Sequence, residues 1–182
     1  FSKNKKIANR IKEIRNNSMQ LTKKDGPWYY EVNEPGQNFR ITDFQCALGI
    51  SQLKKLNNFI LARRKIAKIY IKELKNDERF IIPKERENCF HSYHLFPLQI
   101  NFNKLKISKI ELFSKFKKKG INLQVHYIPV HLQPFYKKRF GFKKNQFKNA
   151  ENFYKKEVSL PIYPSLKKKE IYKVINELLS LK

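Results

Sequence analysis

A chain of 182 residues can bury one sizeable core, or a small domain with a helical extension, but not two full domains. Hydrophobic residues at 41% and aromatic residues at 14% exclude a disordered chain, and no apolar run approaches the roughly 20 residues of a membrane span. The formal charge of +25 points toward nucleic acid, yet only eight of the 40 basic residues are arginine, the type that reads bases and clamps phosphates. The excess is lysine, and together with the many asparagines and isoleucines it reads as a compositional bias on solvated faces rather than a specific nucleic-acid surface.

Ile7, Ala8, Ile11 and Ile14 recur at helical spacing and predict an amphipathic helix over residues 5–15. Residues 25–40 hold Gly26-Pro27, Pro35-Gly36 and the aromatic cluster Trp28, Tyr29, Tyr30 without any period, and read as a long ordered loop. Thr42 and Gln45 have the spacing of a capping box, so a helix begins there, and Asn57-Asn58 offers a place to break or kink before a second helix through Leu74. Residues 1–76 are therefore expected to end in a helical connector, and residues 77–182 to form a small α+β domain. In that second part strands are expected over residues 93–100 and 121–126, with Pro97 on an edge or bulge. A capping box at Ser108 and Glu111 opens a helix that stops at Gly120. Residues 127–142 read as a second long loop with a helical turn near Pro134, residues 149–156 and 167–181 as helices, and residues 158–163 as an extended segment. The sum is an α/β chain.

Cys46 and Cys89 stand far apart with no zinc-type spacing, and read as buried free thiols of a reducing cytoplasm. All four histidines lie in His91-Ser92-Tyr93-His94 and in the stretch from His126 to His131. Their spacing does not suit a metal site, and no metal is expected. At strand ends and loops they suit the polar wall of a ligand pocket. Gln37-Asn38-Phe39-Arg40 precedes a capped helix start, where free N–H groups and the positive end of the dipole favour an anion such as phosphate. No glycine-rich phosphate loop and no complete catalytic apparatus is present.

The run Gly36-Gln37-Asn38-Phe39-Arg40-Ile41-Thr42-Asp43-Phe44-Gln45, continued by Ser51-Gln52-Leu53 and Arg63-Arg64-Lys65, resembles the signature of the DegT/DnrJ/StrS-type nucleotide-sugar aminotransferases. His91–Phe96, Val125–Tyr136 and Ser159–Pro164 continue the resemblance in order, so it covers nearly the whole chain. It implies part of a fold-type I aminotransferase, an enzyme that uses pyridoxal 5'-phosphate. It also implies a reaction in which an amino group passes from a donor such as glutamate to a 4-keto UDP-linked deoxysugar, in homodimers with sites at the subunit interface.

By the same resemblance Asn38 and Arg40 contact the cofactor phosphate in the neighbouring subunit, while Trp28, Tyr29, His94, His126, Tyr127 and His131 shape the nucleotide-sugar pocket. The cofactor-anchoring lysine is expected before Phe1, so this C-terminal part is expected to be inactive alone. The rivals are a noncatalytic half of a split or decayed gene that needs an N-terminal partner, and a basic nucleic-acid-binding module.

Overall fold

Helix α1 (Lys5–Ile14) starts where the Asn4 side chain accepts the backbone N–H groups of Lys6 and Ile7, donors that the first helical turn cannot satisfy itself. The computed structural model describes residues 2–22 and 26–181; the expected start of the long loop at Asp25 lies outside the described residues. Two compact units are present, Phe1–Lys54 and Lys55–Lys182.

In the N-terminal unit the expected loop contains a strand. β1 (Met19–Leu21) and β2 (Tyr30–Val32) pair antiparallel, with Gln20 opposite Glu31. The segment after β2 is strapped to the end of α1: Gln37 donates its N–H to the Ile14 carbonyl at 2.7 Å, Asn17 donates to Gln37 at 3.0 Å, and Phe39 donates to Arg15 at 2.9 Å. Asn17 and Ser18 take left-handed φ values of 58° and 54°, which turn the chain beneath Gly36. A Cβ at Gly36 would lie 2.2 Å from both the Asn17 carbonyl carbon and the Ser18 nitrogen, so only glycine fits that crossing.

Helix α2 runs without interruption from Asp43 to Leu74. Its start is the expected reciprocal cap, Thr42 N–H to Gln45 Oε1 at 3.0 Å and Gln45 N–H to Thr42 Oγ1 at 3.3 Å. The break expected at Asn57-Asn58 does not occur, because asparagine inside a helix costs only about 0.7 kcal/mol and neither Gly nor Pro follows to enforce a stop. The division between the two units falls within this helix, whereas the sequence-based boundary at residues 76–77 lies just past its end.

The C-terminal unit is built on a three-stranded antiparallel sheet in the order β3 (Phe80–Ile81), β4 (Phe96–Ile100), β5 (Glu157–Leu160). Phe96, Leu98 and Ile100 alternate with Pro97 and Gln99 along β4, and all three apolar side chains are fully buried. They join Tyr70 and Leu74 of α2, Leu112 and Phe116 of α4 (Lys109–Lys118), and Val174, Ile175 and Leu178 of α7 (Lys168–Leu179) in one core. Each such side chain contributes about 1.5–3 kcal/mol by leaving water. Between these lie α3 (Phe102–Leu105), α5 (Pro134–Phe140) and α6 (Lys148–Lys156). The Ser108–Glu111 capping box forms as expected, with contacts of 3.1 and 2.6 Å.

Three expectations change in detail. The strand expected from Tyr93 begins only at Phe96, because Tyr93 has a φ of 47° that no strand accommodates. Pro97 sits in the middle strand, but β3 reaches only as far as Gln99, so at Pro97 the strand has a ladder neighbour on β5 alone. The strand expected over residues 121–126 reduces to a single bridge between Gln124 and Ser159. Its apolar residues Ile121 and Leu123 are buried by side-chain packing rather than by a ladder.

Candidate functional site: a polar cavity in the C-terminal unit

A cavity of about 500 Å³ opens among the segment before β4, residues 120–127, the end of β5 and the first turns of α7, a size within the range of small-ligand sites. His94, His126 and Tyr127 stand in its wall together with Arg63 from α2 and Glu170 and Lys173 from α7. Arg63 is fixed there because one guanidinium nitrogen donates to the carbonyls of Ile162, at 2.7 Å, and His94, at 3.2 Å. The loops that follow β5 and precede β4 are thereby tied to the same helix.

His126 is held at three atoms' reach of a buried carboxylate. Its backbone N–H donates to Glu157 Oε2 at 2.9 Å, its Nδ1 lies 2.8 Å from Ser159 Oγ, and that hydroxyl donates to Glu157 Oε1 at 2.5 Å. Tyr127 packs edge-on against the His126 ring at 4.6 Å between centroids and is largely exposed. This arrangement depends on residues more than 30 positions apart, and no local pattern in the sequence signals it.

His131, grouped with His126 by sequence, is not in the cavity wall. It is buried, with Nε2 3.0 Å from Glu151 Oε1 and the Phe147 ring 4.7 Å away. Burial pushes the Glu151 carboxyl up, but the hydrogen bonds from His131 and from the backbone of Asn145 and Phe147 outweigh it and hold the carboxyl below its ordinary value. His131 thus ties the 3-10 turn Val130–Leu132 to α6.

A second cluster, missed by sequence reading, surrounds Glu85. Arg64 grips its two oxygens at 2.6 and 3.2 Å, and the His91 N–H donates to it at 2.7 Å. The Arg64 guanidinium first, and the His91 N–H next, bring the Glu85 carboxyl down to about 2. Arg63 and Arg64 are neighbours in sequence but about 100° apart around the helix, which is why one faces the cavity and the other this cluster. The helical period could have told them apart.

The remaining expected site residues belong to the N-terminal unit. Arg40 donates through Nε and Nη2 to Asn16 Oδ1 at 3.2 and 2.8 Å. Asn38 forms a backbone bridge to Asn16 and is exposed. Trp28 is largely exposed and Tyr29 donates its hydroxyl to Glu31 at 3.3 Å. The cysteines are free, but neither is buried: Cys89 is exposed and Cys46 half-buried. Among the described residues no group of three or more His, Cys, Asp or Glu is placed to hold a metal, and no helix is long and apolar enough to cross a membrane.

Residues 1–179 match the DegT/DnrJ/EryC1/StrS aminotransferase family, and the chain belongs to it. It is 42% identical over 178 residues to an uncharacterized protein of Methanocaldococcus jannaschii, a match covering 95% of this chain and 46% of that one. It is 37% identical over 180 residues to the UDP-4-amino-4,6-dideoxy-N-acetyl-beta-L-altrosamine transaminase of Campylobacter jejuni, covering 99% of this chain and 46% of the relative. Among solved structures it superposes with a TM-score of 0.86, at 27% identity, on the Helicobacter pylori aminotransferase PseC, involved in the biosynthesis of pseudoaminic acid, covering 99% of this chain and 47% of that one. The chain therefore spans about half the length of the relatives it matches.

Proposed function

We propose that this chain is the C-terminal part of a pyridoxal-phosphate-dependent aminotransferase that moves an amino group, from glutamate, to the 4-keto carbon of a UDP-linked deoxysugar. In this reading residues 1–76 complete a large domain and residues 77–182 form the small one, and the enzyme is a cytoplasmic homodimer. The observation that carries it is the cavity walled by Arg63, His94, His126 and Tyr127. Guanidinium, imidazole and phenol groups at a mostly preformed opening suit a ligand rich in hydroxyls and negative charge.

The residues present also fit the phosphate end of the cofactor. Asn38 and Arg40 lie on a strap pinned by backbone hydrogen bonds to α1, shortly before the Thr42 cap of α2. The exposed Asn38 amide and the remaining Arg40 guanidinium N–H groups are donors of the kind a phosphate takes. Bound pyridoxal phosphate supplies the electron sink for amino transfer. In this reading the chain's share is to hold the phosphate and to line the sugar, the anchoring lysine lies in a preceding half, and the chain without that half is inactive.

In the enzyme that joins this chain to the lysine-bearing half, Asn38→Ala is expected to weaken retention of pyridoxal phosphate, read by absorbance after dialysis, with the thermal midpoint of the cofactor-free protein unchanged. Retention equal to the parent contradicts the assignment.

A further inference from the structure

We propose that Glu157 and Ser159 are positioning residues that fix the tautomer of His126, so that the cavity meets an unprotonated Nε2, a hydrogen-bond acceptor for a hydroxyl or N–H group of the ligand. The inference deepens the reading of this cavity as a sugar wall and rests on that reading for its ligand.

The direction of the proton chain follows from donor counting. Glu157 is fully buried, and its carboxylate accepts the His126 backbone N–H at 2.9 Å and the Ser159 hydroxyl at 2.5 Å. An ionised carboxylate only accepts, so the single hydroxyl proton of Ser159 is committed to Glu157. The 2.8 Å contact between Ser159 Oγ and His126 Nδ1 then needs its proton from the ring. A neutral imidazole has one N–H, so Nε2 carries a lone pair. Among the described residues Nε2 has no hydrogen-bond partner, and the ring stands in the cavity wall.

A purely structural role does not account for these groups. The Ser159 backbone is already joined to Gln124 by hydrogen bonds of 2.8 and 3.3 Å, so its side chain is not needed to close that edge of the sheet. Burying a carboxylate is costly, and an apolar pair would fill the same space at no desolvation penalty. What the polar chain adds is a defined ring orientation and a defined tautomer. Beside Arg63, whose guanidinium only donates, that lone pair gives the wall an acceptor able to tell a hydroxyl from a keto oxygen.

Histidine-selective 15N NMR of the ligand-free protein, under mildly alkaline conditions where rings are neutral, reads the tautomer directly. His126, assigned by loss of its signals in His126→Gln, is expected to show protonated Nδ1 and unprotonated Nε2. Ser159→Ala is expected to lose that preference and Ser159→Thr, which keeps the hydroxyl, to retain it. An Nε2–H tautomer in the unsubstituted protein overturns the proposal, as does an unchanged Nδ1–H tautomer in Ser159→Ala. The unsubstituted protein decides the tautomer even where a variant folds poorly. Because no ligand is present, the outcome is separate from whether the cavity takes a sugar.

Discussion

Replacing Gly36 by alanine inserts one carbon where the structure has none to spare. The new Cβ would stand 2.2 Å from two backbone atoms of Asn17 and Ser18, far inside van der Waals contact, and backbone cannot turn aside as a side-chain tip can. Relief requires the strap to lift from α1, which gives up the hydrogen bonds Gln37 to Ile14, Asn17 to Gln37 and Phe39 to Arg15. At about 1 kcal/mol net for each, the loss is about 3 kcal/mol, locally confined. Hydrogen exchange with mass or NMR detection should therefore find the Gln37 and Phe39 amides exchanging roughly 100-fold faster in Gly36→Ala, from the same energy at 1.4 kcal/mol per decade. Amides of the C-terminal core should be unchanged. Full protection of Gln37 and Phe39 in the variant would refute the view that this glycine is required by close approach.

Tyr70→Phe removes a fully buried hydroxyl that donates to the Pro161 carbonyl at 2.9 Å, and should lower stability by about 1–2 kcal/mol in urea unfolding. The Glu85 carboxyl, held at about 2 against an ordinary 4.5, makes its contribution above pH 4.5 and loses it as pH falls toward 2. Its carboxyl carbon followed by NMR should titrate near 2 in the parent and clearly higher in Arg64→Met, where the His91 N–H still holds it below the ordinary value; an unchanged titration in Arg64→Met would remove Arg64 from that account.

Local features were legible in the sequence and tertiary ones were not. The helices α1, α4, α6 and α7 follow from apolar spacing, and the caps at Thr42 and Ser108 follow from two residues each, because those forces act within one or two turns. The β1–β2 pair escaped notice because each strand has only three residues, too few to show an alternating pattern, and eight residues separate them where the strongest hairpin signal is a two-residue loop. Asn57-Asn58 looked like a break only because local propensity was read without the packing of Ile66, Ala67, Tyr70 and Leu74 that holds the second half of α2 in place. His126 and His131 show the limit most plainly. They sit in one short motif, yet one faces the cavity and the other is buried on Glu151, and what separates them is a carboxylate 20 or more residues away in each case.

In the proposed reading this chain contributes the sugar wall and phosphate contact of an aminotransferase whose lysine lies in another segment. The most direct test joins the chain to that lysine-bearing half and supplies glutamate with a UDP-linked 4-keto deoxysugar, scoring amino sugar and 2-oxoglutarate together. Equal amounts of both products are expected from the joined enzyme, and none from this chain alone. Turnover by the chain alone, or a joined and cofactor-loaded enzyme that forms 2-oxoglutarate from glutamate but never aminates the sugar, would contradict that division of roles.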